Sequence, residues 1–226
     1  MDDITLITCS YNTPVVTECM LKTFIKCHGG KHRITIIENS DKDDKTKKML
    51  RGYNIPYIDG AEVLKPEDGF GWSHHQGLDW AVKNNKTRYC LIVDTDILFV
   101  TPVLHLLDII KADDSIVALG PLQIFPAKFN LLPRIHPCFM LLDTKFFNSY
   151  SDLTFSYSGN AKYDVGSYFY KRVYELGKRT YHIEHNKLYN HLMEGTSWAV
   201  DEKRVNKVYN KISKTLRDID IKNCFY

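Results

Sequence analysis

Apolar and polar positions along the first half of the chain follow two alternating periods. Short apolar runs bounded by turn residues predict strands at 4–8, 33–38, 55–58, 89–100 and 115–119. Between them, apolar residues at helical spacing predict helices at 14–27, 43–53, 72–85 and 103–112. At the first helix, Thr13 is expected to be the N-cap and Pro14 the first helical residue. Such alternation is typical of an α/β fold with a mostly parallel central sheet flanked by helices.

The second half of the chain has a looser pattern. Prolines interrupt an irregular stretch at positions 121, 126, 133 and 137. Beyond it the pattern predicts a returning strand at 139–143, a helix at 165–176 and a strand at 180–183. A C-terminal amphipathic helix is marked by Val205, Val208, Ile212 and Leu216. No internal repeat or linker is visible, so we predict a single domain over residues 1–226.

The composition narrows the functional classes. Of the 226 residues, 44% are hydrophobic and 25% charged, as in ordinary globular proteins. A net charge of +3 is too weak to indicate nucleic acid as a partner. No apolar run approaches the roughly 20 residues of a membrane-spanning helix, and the acidic start "MDDITLITC" predicts no signal peptide. Six cysteines without a CxxC pair favour reduced thiols and a cytoplasmic location over disulfides or zinc.

Two carboxylates interrupt the most apolar segment, "YCLIVDTDILFV" at residues 89–100. If the strand continues through Asp94 and Asp96, both side chains point to one side, with Cα atoms about 7 Å apart. The carboxyl ends of parallel strands border the ligand crevice of such sheets. Two acids there can share Mg²⁺ or Mn²⁺ with a phosphate, because these cations favour oxygen ligands. The alternative is a pair of solvated loop acids or helix caps.

Four polar segments follow one another in a set order around these acids. The first strand runs into "TLITCSYN", the second ends in "IIENSD", "GWSHHQG" precedes the acids, and "YDVG" opens a later helix. This order, over about the first 185 residues, resembles the GT-A nucleotide-sugar glycosyltransferases, especially the inverting group called family 2. Two positions depart from the family pattern: His75 stands where Asn is usual, and Tyr163 where an acid is usual.

The resemblance implies a GT-A, Rossmann-like fold and a metal-dependent glycosyltransferase. Such an enzyme moves a sugar from a nucleoside-diphosphate sugar, with a UDP-sugar favoured, to an acceptor hydroxyl with inversion. The cofactor is expected to be Mn²⁺ or Mg²⁺, and the acceptor a carbohydrate, a lipid-linked molecule or a protein. Residues 1–100 would form the nucleotide-binding half, 101–200 the acceptor-binding half, and 201–226 the C-terminal amphipathic helix.

The resemblance also implies roles for individual residues. Asp164 is the candidate general base, although Asp is also a frequent helix N-cap. The expected metal ligands are Asp94, Asp96 and His191. The expected donor-binding residues are Thr8, Ser10, Tyr11, Asn12, Glu38, Asn39, Gly71, His75 and Asp94. The aromatic candidates for the acceptor site are Trp72, Tyr157, Tyr163 and Trp198, since flat rings stack on sugar faces.

Three other functions remain open at this point. A haloacid-dehalogenase-like phosphatase also has a DxD motif after a strand, but normally near the N-terminus. A nucleotidyltransferase shares paired metal-binding acids, but typically has a Gly-rich basic loop where "TCSYNTPVV" stands here. The third alternative is a non-catalytic protein that binds nucleotide sugars. The basic C-terminal helix could make a peripheral membrane contact, but a helix packed on the domain with solvated charges is favoured.

Overall fold

A seven-stranded sheet organises the described part of the chain. The computed structural model describes residues 3–40, 45–64, 74–124, 133–156, 165–184, 187–192 and 216–226. The strands are β1 (Ile4–Ser10), β2 (Arg33–Glu38), β3 (Ile58–Asp59), β4 (Tyr89–Val93), β5 (Ile97–Phe99), β6 (Ile116–Gly120), β7 (Leu122–Gln123), β8 (Arg134–Ile135), β9 (Phe139–Asp143), β10 (Arg179–His182) and β11 (Tyr189–His191). The helices are α1 (Pro14–His28), α2 (Lys45–Gly52), α3 (Gly60–Val63), α4 (His74–Asn84), α5 (Leu107–Ala112), α6 (Thr144–Asn148) and α7 (Ser167–Glu175).

The strand order of the main sheet is β10-β6-β9-β4-β1-β2-β3. The pairs β1–β2, β1–β4, β2–β3 and β6–β10 are parallel. Only β9 runs against its neighbours β4 and β6. This confirms the expected mostly parallel α/β sheet, with β9 as the returning strand. The carboxyl ends of β1, β2 and β4 therefore lie at one edge, where such sheets bind ligands.

Both faces of the sheet are buried. Successive side chains of a strand point to opposite faces, so Leu6 and Leu91 join one apolar cluster while Ile7 and Ile92 join the other. Every residue of β4 is buried. Continuous apolar runs are the expected signature of strands covered on both sides.

The observed elements differ from the predicted ones in several places: α3, α6, β7 and β8 were not predicted, and the strand predicted at 89–100 is divided into β4 and β5. The predicted strand at 55–58 is reduced to the two residues of β3, and a 3-10 turn over Leu104–Leu106 replaces the start of the helix predicted at 103–112. Strand β11 was not predicted. The C-terminal helix predicted at 201–226 lies mostly outside the described residues. The last described segment instead pairs with the start of β2 through a bridge between His32 and Phe225.

The start of α1 follows the predicted position but not the predicted capping. Pro14 is at the first helical position, but the Thr13 side chain makes no capping hydrogen bond. Its hydroxyl lies 3.2 Å from the Thr17 hydroxyl instead. The same hydroxyl lies 3.3 Å from Ser10 Oγ, so Thr13 contacts other side chains at this edge of the sheet.

The cysteines and the helices of the structure test two expectations from the sequence. All six cysteines are free thiols, which confirms that the chain has no disulfide framework. Within the described ranges, none of the helices combines the length and the apolar character that crossing a bilayer requires.

Asp79 on α4 holds the segment that follows α6. Its Oδ1 accepts a hydrogen bond from the Phe155 amide at 2.8 Å, and its Oδ2 accepts one from the Thr154 hydroxyl. Because the Phe155 side chain is fully buried, we expect Asp79→Ala to lower the free energy of unfolding by about 1–3 kcal/mol. Asp79→Asn keeps an acceptor for the Phe155 amide and should cost less than half as much. Urea unfolding of both variants measures this; equal losses would contradict the assigned hydrogen bond.

His28 links the end of α1 to the segment after β5. Its Nδ1 lies 2.8 Å from the Phe24 carbonyl oxygen, and its Nε2 accepts a hydrogen bond from the Val103 amide at 2.9 Å. This pairing requires the neutral ring. Burial lowers the pKa of His28, and the charges of His32 and His105 lower it further against the opposing effect of the Phe24 hydrogen bond.

The lowered pKa of His28 predicts a loss of stability in acid. The unfolded value is about 6.5, so below that pH the unfolded chain binds more protons at this site than the folded chain. The free energy of unfolding should therefore fall as pH drops from 7.5 to 5.5, by at most about 1.4 kcal/mol per pH unit from this group. His28→Gln keeps an acceptor for the Val103 amide without titrating. If the free energy of unfolding of wild type falls no more steeply with pH than that of His28→Gln, the prediction is contradicted.

Candidate active site

The two acids of the DxD motif lie on a turn. Strand β4 ends at Val93, and the Ile97 amide donates a hydrogen bond to the Asp94 carbonyl at 3.2 Å. The expectation that extended geometry continues through Asp94 and Asp96 is therefore wrong. The Asp94 amide donates to the Cys138 carbonyl at 3.0 Å, just before β9 begins. This hydrogen bond joins the residue after β4 to the residue before β9, directly before the turn.

Strand β11 brings a histidine to this turn. It pairs antiparallel with β5, with His191 opposite Ile97, and the Leu192 amide donates to the Asp96 carbonyl at 3.1 Å. As a result, His191 Nε2 lies 3.2 Å from Asp96 Oδ1. One ligand atom each from Asp94, Asp96 and His191 lies within 4.8 Å of the other two. The structure thus brings together the three residues that the sequence suggested as metal ligands.

The spacing of these three atoms fits a divalent cation. Around an octahedral ion with bonds of about 2.1 Å, adjacent ligand atoms are about 3.0 Å apart and opposite ones about 4.2 Å apart. The Asp96–His191 separation is close to the first value, and the 4.8 Å limit requires only small side-chain shifts to reach the second. Two carboxylates with one imidazole suit Mn²⁺ better than Mg²⁺, which prefers oxygen ligands throughout.

The charges at the turn are opposed by imidazoles. Burial raises the pKa of Asp94, but His74, with Nε2 3.3 Å from Asp94 Oδ1, together with the smaller effects of His136 and His191, brings this pKa down to about 2. Burial likewise lowers the pKa of His74 and of His191, but the carboxylates beside them raise both pKa values overall. Asp94 is therefore ionised at any physiological pH, as a metal ligand must be.

The loops after β1 and β2 are joined to each other. The Asn39 amide donates to the Ser10 carbonyl at 2.8 Å, and the Asn12 amide donates to Ser40 Oγ at 2.7 Å. The Ser40 amide in turn donates to Glu38 Oε1 at 2.9 Å. Asn12 has a φ of +50°, a left-handed conformation that Asn tolerates better than most residues. Ser10, Asn12, Glu38 and Asn39, all expected donor-binding residues, therefore lie in one cluster.

The start of α1, next to this cluster, contacts the turn that carries the two acids. Thr13 Oγ1 lies 3.4 Å from Oγ1 of Thr95, the residue between Asp94 and Asp96 in the sequence.

The expected donor-binding residues differ in exposure. Tyr11 is 46% exposed, so its ring is accessible to a ligand, whereas Thr8 is fully buried inside β1. Glu38 is also fully buried, and its observed hydrogen bonds shape the loop through Ser40.

On α4, the histidine that contacts the acids is His74. Its neighbour His75, which is one of the expected donor-binding residues, is buried. Residues one apart on a helix point about 100° away from each other, so the two histidine side chains leave the helix in different directions. The structure therefore assigns the contact with Asp94 to His74.

Several expected site residues lie outside the described residues. They are the candidate base Asp164, the donor-loop residue Gly71, and the aromatic candidates Trp72, Tyr157, Tyr163 and Trp198.

Sequence reasoning missed His136. It lies on the segment between β8 and β9, and its charge is one of those that lower the pKa of Asp94 against burial, after the larger effect of His74. The only local signal is a histidine beside a proline in a stretch with no periodicity, which by itself predicts nothing.

A cavity of about 560 Å³ lies on the other side of the β5–β11 pair. Its lining includes Lys26, Leu98 and Asn190. Neighbouring residues on a strand point to opposite sides, so Asn190 faces this cavity while His191 faces the acids. The cavity contains none of the three candidate metal ligands and is not the candidate active site.

Comparison with known proteins gives matches in fold only. No family model matches the chain, and no curated protein matches it in sequence. Among solved structures, mannosyltransferase PcManGT from Pyrobaculum calidifontis, in complex with GDP-Man and Mn²⁺, is similar with a TM-score of 0.60 and 14% identity, over 96% of this chain and 64% of that one. Residues 1–349 of S. aureus TarS, in complex with UDP-GlcNAc, are similar with a TM-score of 0.61 and 14% identity, over 97% of this chain and 68% of that one.

These similarities show that the chain has the GT-A fold. The chain spans about two thirds of the length of each of the two transferases. The expected fold is therefore confirmed, while the activity, the substrates and the partners have to be argued from the site.

Proposed function

We propose that the chain is a metal-dependent glycosyltransferase that moves a sugar from a nucleoside-diphosphate sugar to an acceptor hydroxyl, with inversion. The observation that carries this proposal is the convergence of Asp94, Asp96 and His191 at the carboxyl edge of a GT-A sheet. A phosphatase or nucleotidyltransferase reading has no comparable support, because the structural similarity is to transferases that are bound to nucleotide sugars.

In this proposal the three residues hold Mn²⁺, with Mg²⁺ as the weaker alternative. A divalent cation held by Asp94, Asp96 and His191 would neutralise the charge that builds up on a departing diphosphate. The PcManGT structure contains Mn²⁺ together with a GDP-sugar, which supports the same pairing of metal and donor here. Asp94 is kept ionised by His74, so no proton has to leave it before the metal binds.

The joined loops after β1 and β2 are proposed to bind the nucleoside. Glu38 Oε2 and Asn39 Oδ1 are buried and have no hydrogen-bond partner among the described residues. Such oxygens are unusual in folded proteins, and because both atoms lack accessible surface, the loop would have to shift for the N–H and O–H groups of a base and ribose to reach them. The exposed ring of Tyr11 is proposed to stack on the base. UDP is the favoured nucleotide, and TarS, which has the same fold, has been solved with UDP-GlcNAc.

Asp164 is proposed to be the general base that takes the proton of the acceptor hydroxyl. Its neighbours in the chain are well held: the Val165 carbonyl accepts from Arg134 Nε at 2.9 Å, and the Gly166 amide donates to the Phe155 carbonyl at 3.0 Å. We further propose that residues 101–200 bind the acceptor. We also propose a cytoplasmic location, because all six cysteines are free thiols.

A thermal-shift screen with Mn²⁺ tests the proposal. UDP-glucose, UDP-GlcNAc and GDP-mannose are added at saturating concentration, each with Mn²⁺ or with EDTA. At 100 times its Kd, the correct donor should stabilise the protein by about 2.7 kcal/mol, which corresponds to roughly 5–10 °C in Tm. The shift should disappear with EDTA. No shift with any nucleotide sugar in Mn²⁺ would contradict the proposal, and the anomeric configuration of the product by NMR tests inversion.

A further inference from the structure

Helix α1 contacts the segment that carries the two acids on both sides of the second acid. Before that acid, the Thr13 hydroxyl donates a hydrogen bond to Thr95 Oγ1 at 3.4 Å. After it, the Phe99 amide on β5 donates to Thr23 Oγ1 at 3.1 Å. The Thr23 hydroxyl is itself oriented by the hydrogen bond that it donates to the Met20 carbonyl at 2.9 Å. Helix α1 therefore supports the turn with the acids as well as β5.

Four hydroxyl groups meet at the first of these contacts. Thr13 Oγ1 lies 3.3 Å from Ser10 Oγ and 3.2 Å from Thr17 Oγ1, besides its contact with Thr95. A hydroxyl has one proton and two lone pairs. Because Thr13 uses its proton on Thr95, Ser10 and Thr17 have to be the donors in their hydrogen bonds with Thr13. Ser10, Thr13 and Thr17 are all buried, where hydrogen bonds are stronger than in water and their loss is harder to compensate.

This hydroxyl cluster of Ser10, Thr13, Thr17 and Thr95 joins the nucleoside loops to the acids. Ser10 is the last residue of β1, and its carbonyl accepts the hydrogen bond from the Asn39 amide at 2.8 Å. At the other end, Thr95 is the residue between the two acids in the sequence and is half-buried. In the described ranges, Thr13 is the hydrogen-bond partner of the Thr95 hydroxyl, and no other partner is present there. The Thr13–Thr95 hydrogen bond is therefore the contact that holds this side chain.

We propose that Thr13 and Thr95 are positioning residues, whose hydrogen bond holds the turn so that Asp94 and Asp96 face His191 at metal-binding distance. The inference rests on the proposed function, because it requires these three ligands to bind a metal. Their ligand atoms lie within 4.8 Å of one another, so a small displacement of the turn changes the distances on which binding depends. Removing an outer contact that orients metal ligands typically weakens metal affinity by roughly 10- to 100-fold.

Two substitutions separate the hydroxyl of threonine from its shape. Valine has the shape of threonine without the hydroxyl, and serine keeps the hydroxyl without the methyl group. Calorimetry measures the Mn²⁺ affinity of wild type, Thr95→Val, Thr95→Ser and Thr13→Val, and thermal melts give the Tm of each. We expect both valine variants to bind Mn²⁺ about tenfold more weakly, and Thr95→Ser to stay within about threefold of wild type. The double valine variant should bind Mn²⁺ as Thr95→Val does, because the two residues act through one hydrogen bond.

Thr101→Val is the matched control for the loss of a hydroxyl. Thr101 follows β5 and its hydroxyl donates to the Lys187 carbonyl at 3.3 Å, so its variant should bind Mn²⁺ as wild type does.

The opposite results overturn the inference in recognisable ways. Unchanged Mn²⁺ affinity in Thr95→Val overturns it whatever the Tm, because a merely structural residue changes Tm without changing the affinity. Equal losses in Thr95→Val and Thr95→Ser, or additive losses in the double variant, also overturn it. If wild type itself does not bind Mn²⁺, the proposed function fails. Should Thr95→Val not fold, Thr95→Ala takes its place, because alanine also lacks the hydroxyl.

Discussion

Asp96→Asn is expected to lower kcat/KM at least about 10³-fold, which corresponds to about 4 kcal/mol of transition-state stabilisation. The substitution removes one negative charge from the three-residue set that is proposed to hold the metal, and Asp96 Oδ1 is the atom next to His191 Nε2. Affinity for Mn²⁺ should fall with it. The size of the side chain is unchanged, so the effect should be on metal binding and turnover, with little effect on packing.

The stability of this variant is best compared with wild type at pH 8.5. Burial lowers the pKa of His191, but the hydrogen bond and charge of Asp96, with a smaller effect of Asp94, raise it overall. A raised histidine pKa stabilises the fold below the unfolded value of about 6.5, and this stabilisation is lost as pH rises through the folded-state pKa. At pH 8.5 the loss of the Asp96–His191 ion pair should therefore have little effect on the stability of Asp96→Asn. Its Tm should stay within about 3 °C of the wild-type Tm.

Asp108→Asn is the matched control, since Asp108 is an exposed acid on α5. It should leave both Mn²⁺ affinity and Tm unchanged. If Asp96→Asn melts more than about 8 °C below wild type while its Mn²⁺ affinity is unchanged, Asp96 is a structural residue, and the proposed metal site loses its central member.

Asp164→Asn is expected to lower the rate of sugar transfer by about 10²–10⁴-fold, the usual contribution of a general base. Asn has the shape of Asp but cannot accept the proton of the acceptor hydroxyl. The next two residues are fixed by the Arg134–Val165 and Gly166–Phe155 hydrogen bonds, which the substitution does not touch. Kd for the donor and for Mn²⁺ should therefore remain close to wild type, so the loss should appear in kcat.

Asp152→Asn provides the control among the described acids of this half of the chain. Asp152 is an exposed acid paired with Arg172 at 2.9 Å, and exposed pairs contribute little. Its variant should transfer sugar at the wild-type rate. A normal transfer rate in Asp164→Asn would remove Asp164 from the role of base, and a raised Kd for the donor would place it in donor binding instead.

The periodicity of the sequence was a good guide to single elements. Strands β2 and β9 begin and end at the predicted residues. Strand β9 is buried along its whole length and reads as an apolar run, whereas β2 has apolar residues between an exposed Arg33 and a buried Glu38. The acids of the DxD motif stood out for the related reason that ionised groups are costly at the end of such a run without partners. His191 was suggested by resemblance alone, and no local pattern predicted the strand that carries it.

The sequence by itself determined the α/β alternation, the sheet edge at which the acids lie and the chemical class of the candidate metal ligands. Only the tertiary structure decided that the acids lie on a turn, that His74 and not His75 contacts Asp94, and that β11 pairs with β5. It also decided the position of His136, between Asp94 and the residues after Asp164. The physical reason is that burial and periodicity act on neighbours in sequence. Contacts between residues about 90 positions apart depend instead on how whole strands pack, and no local pattern records that.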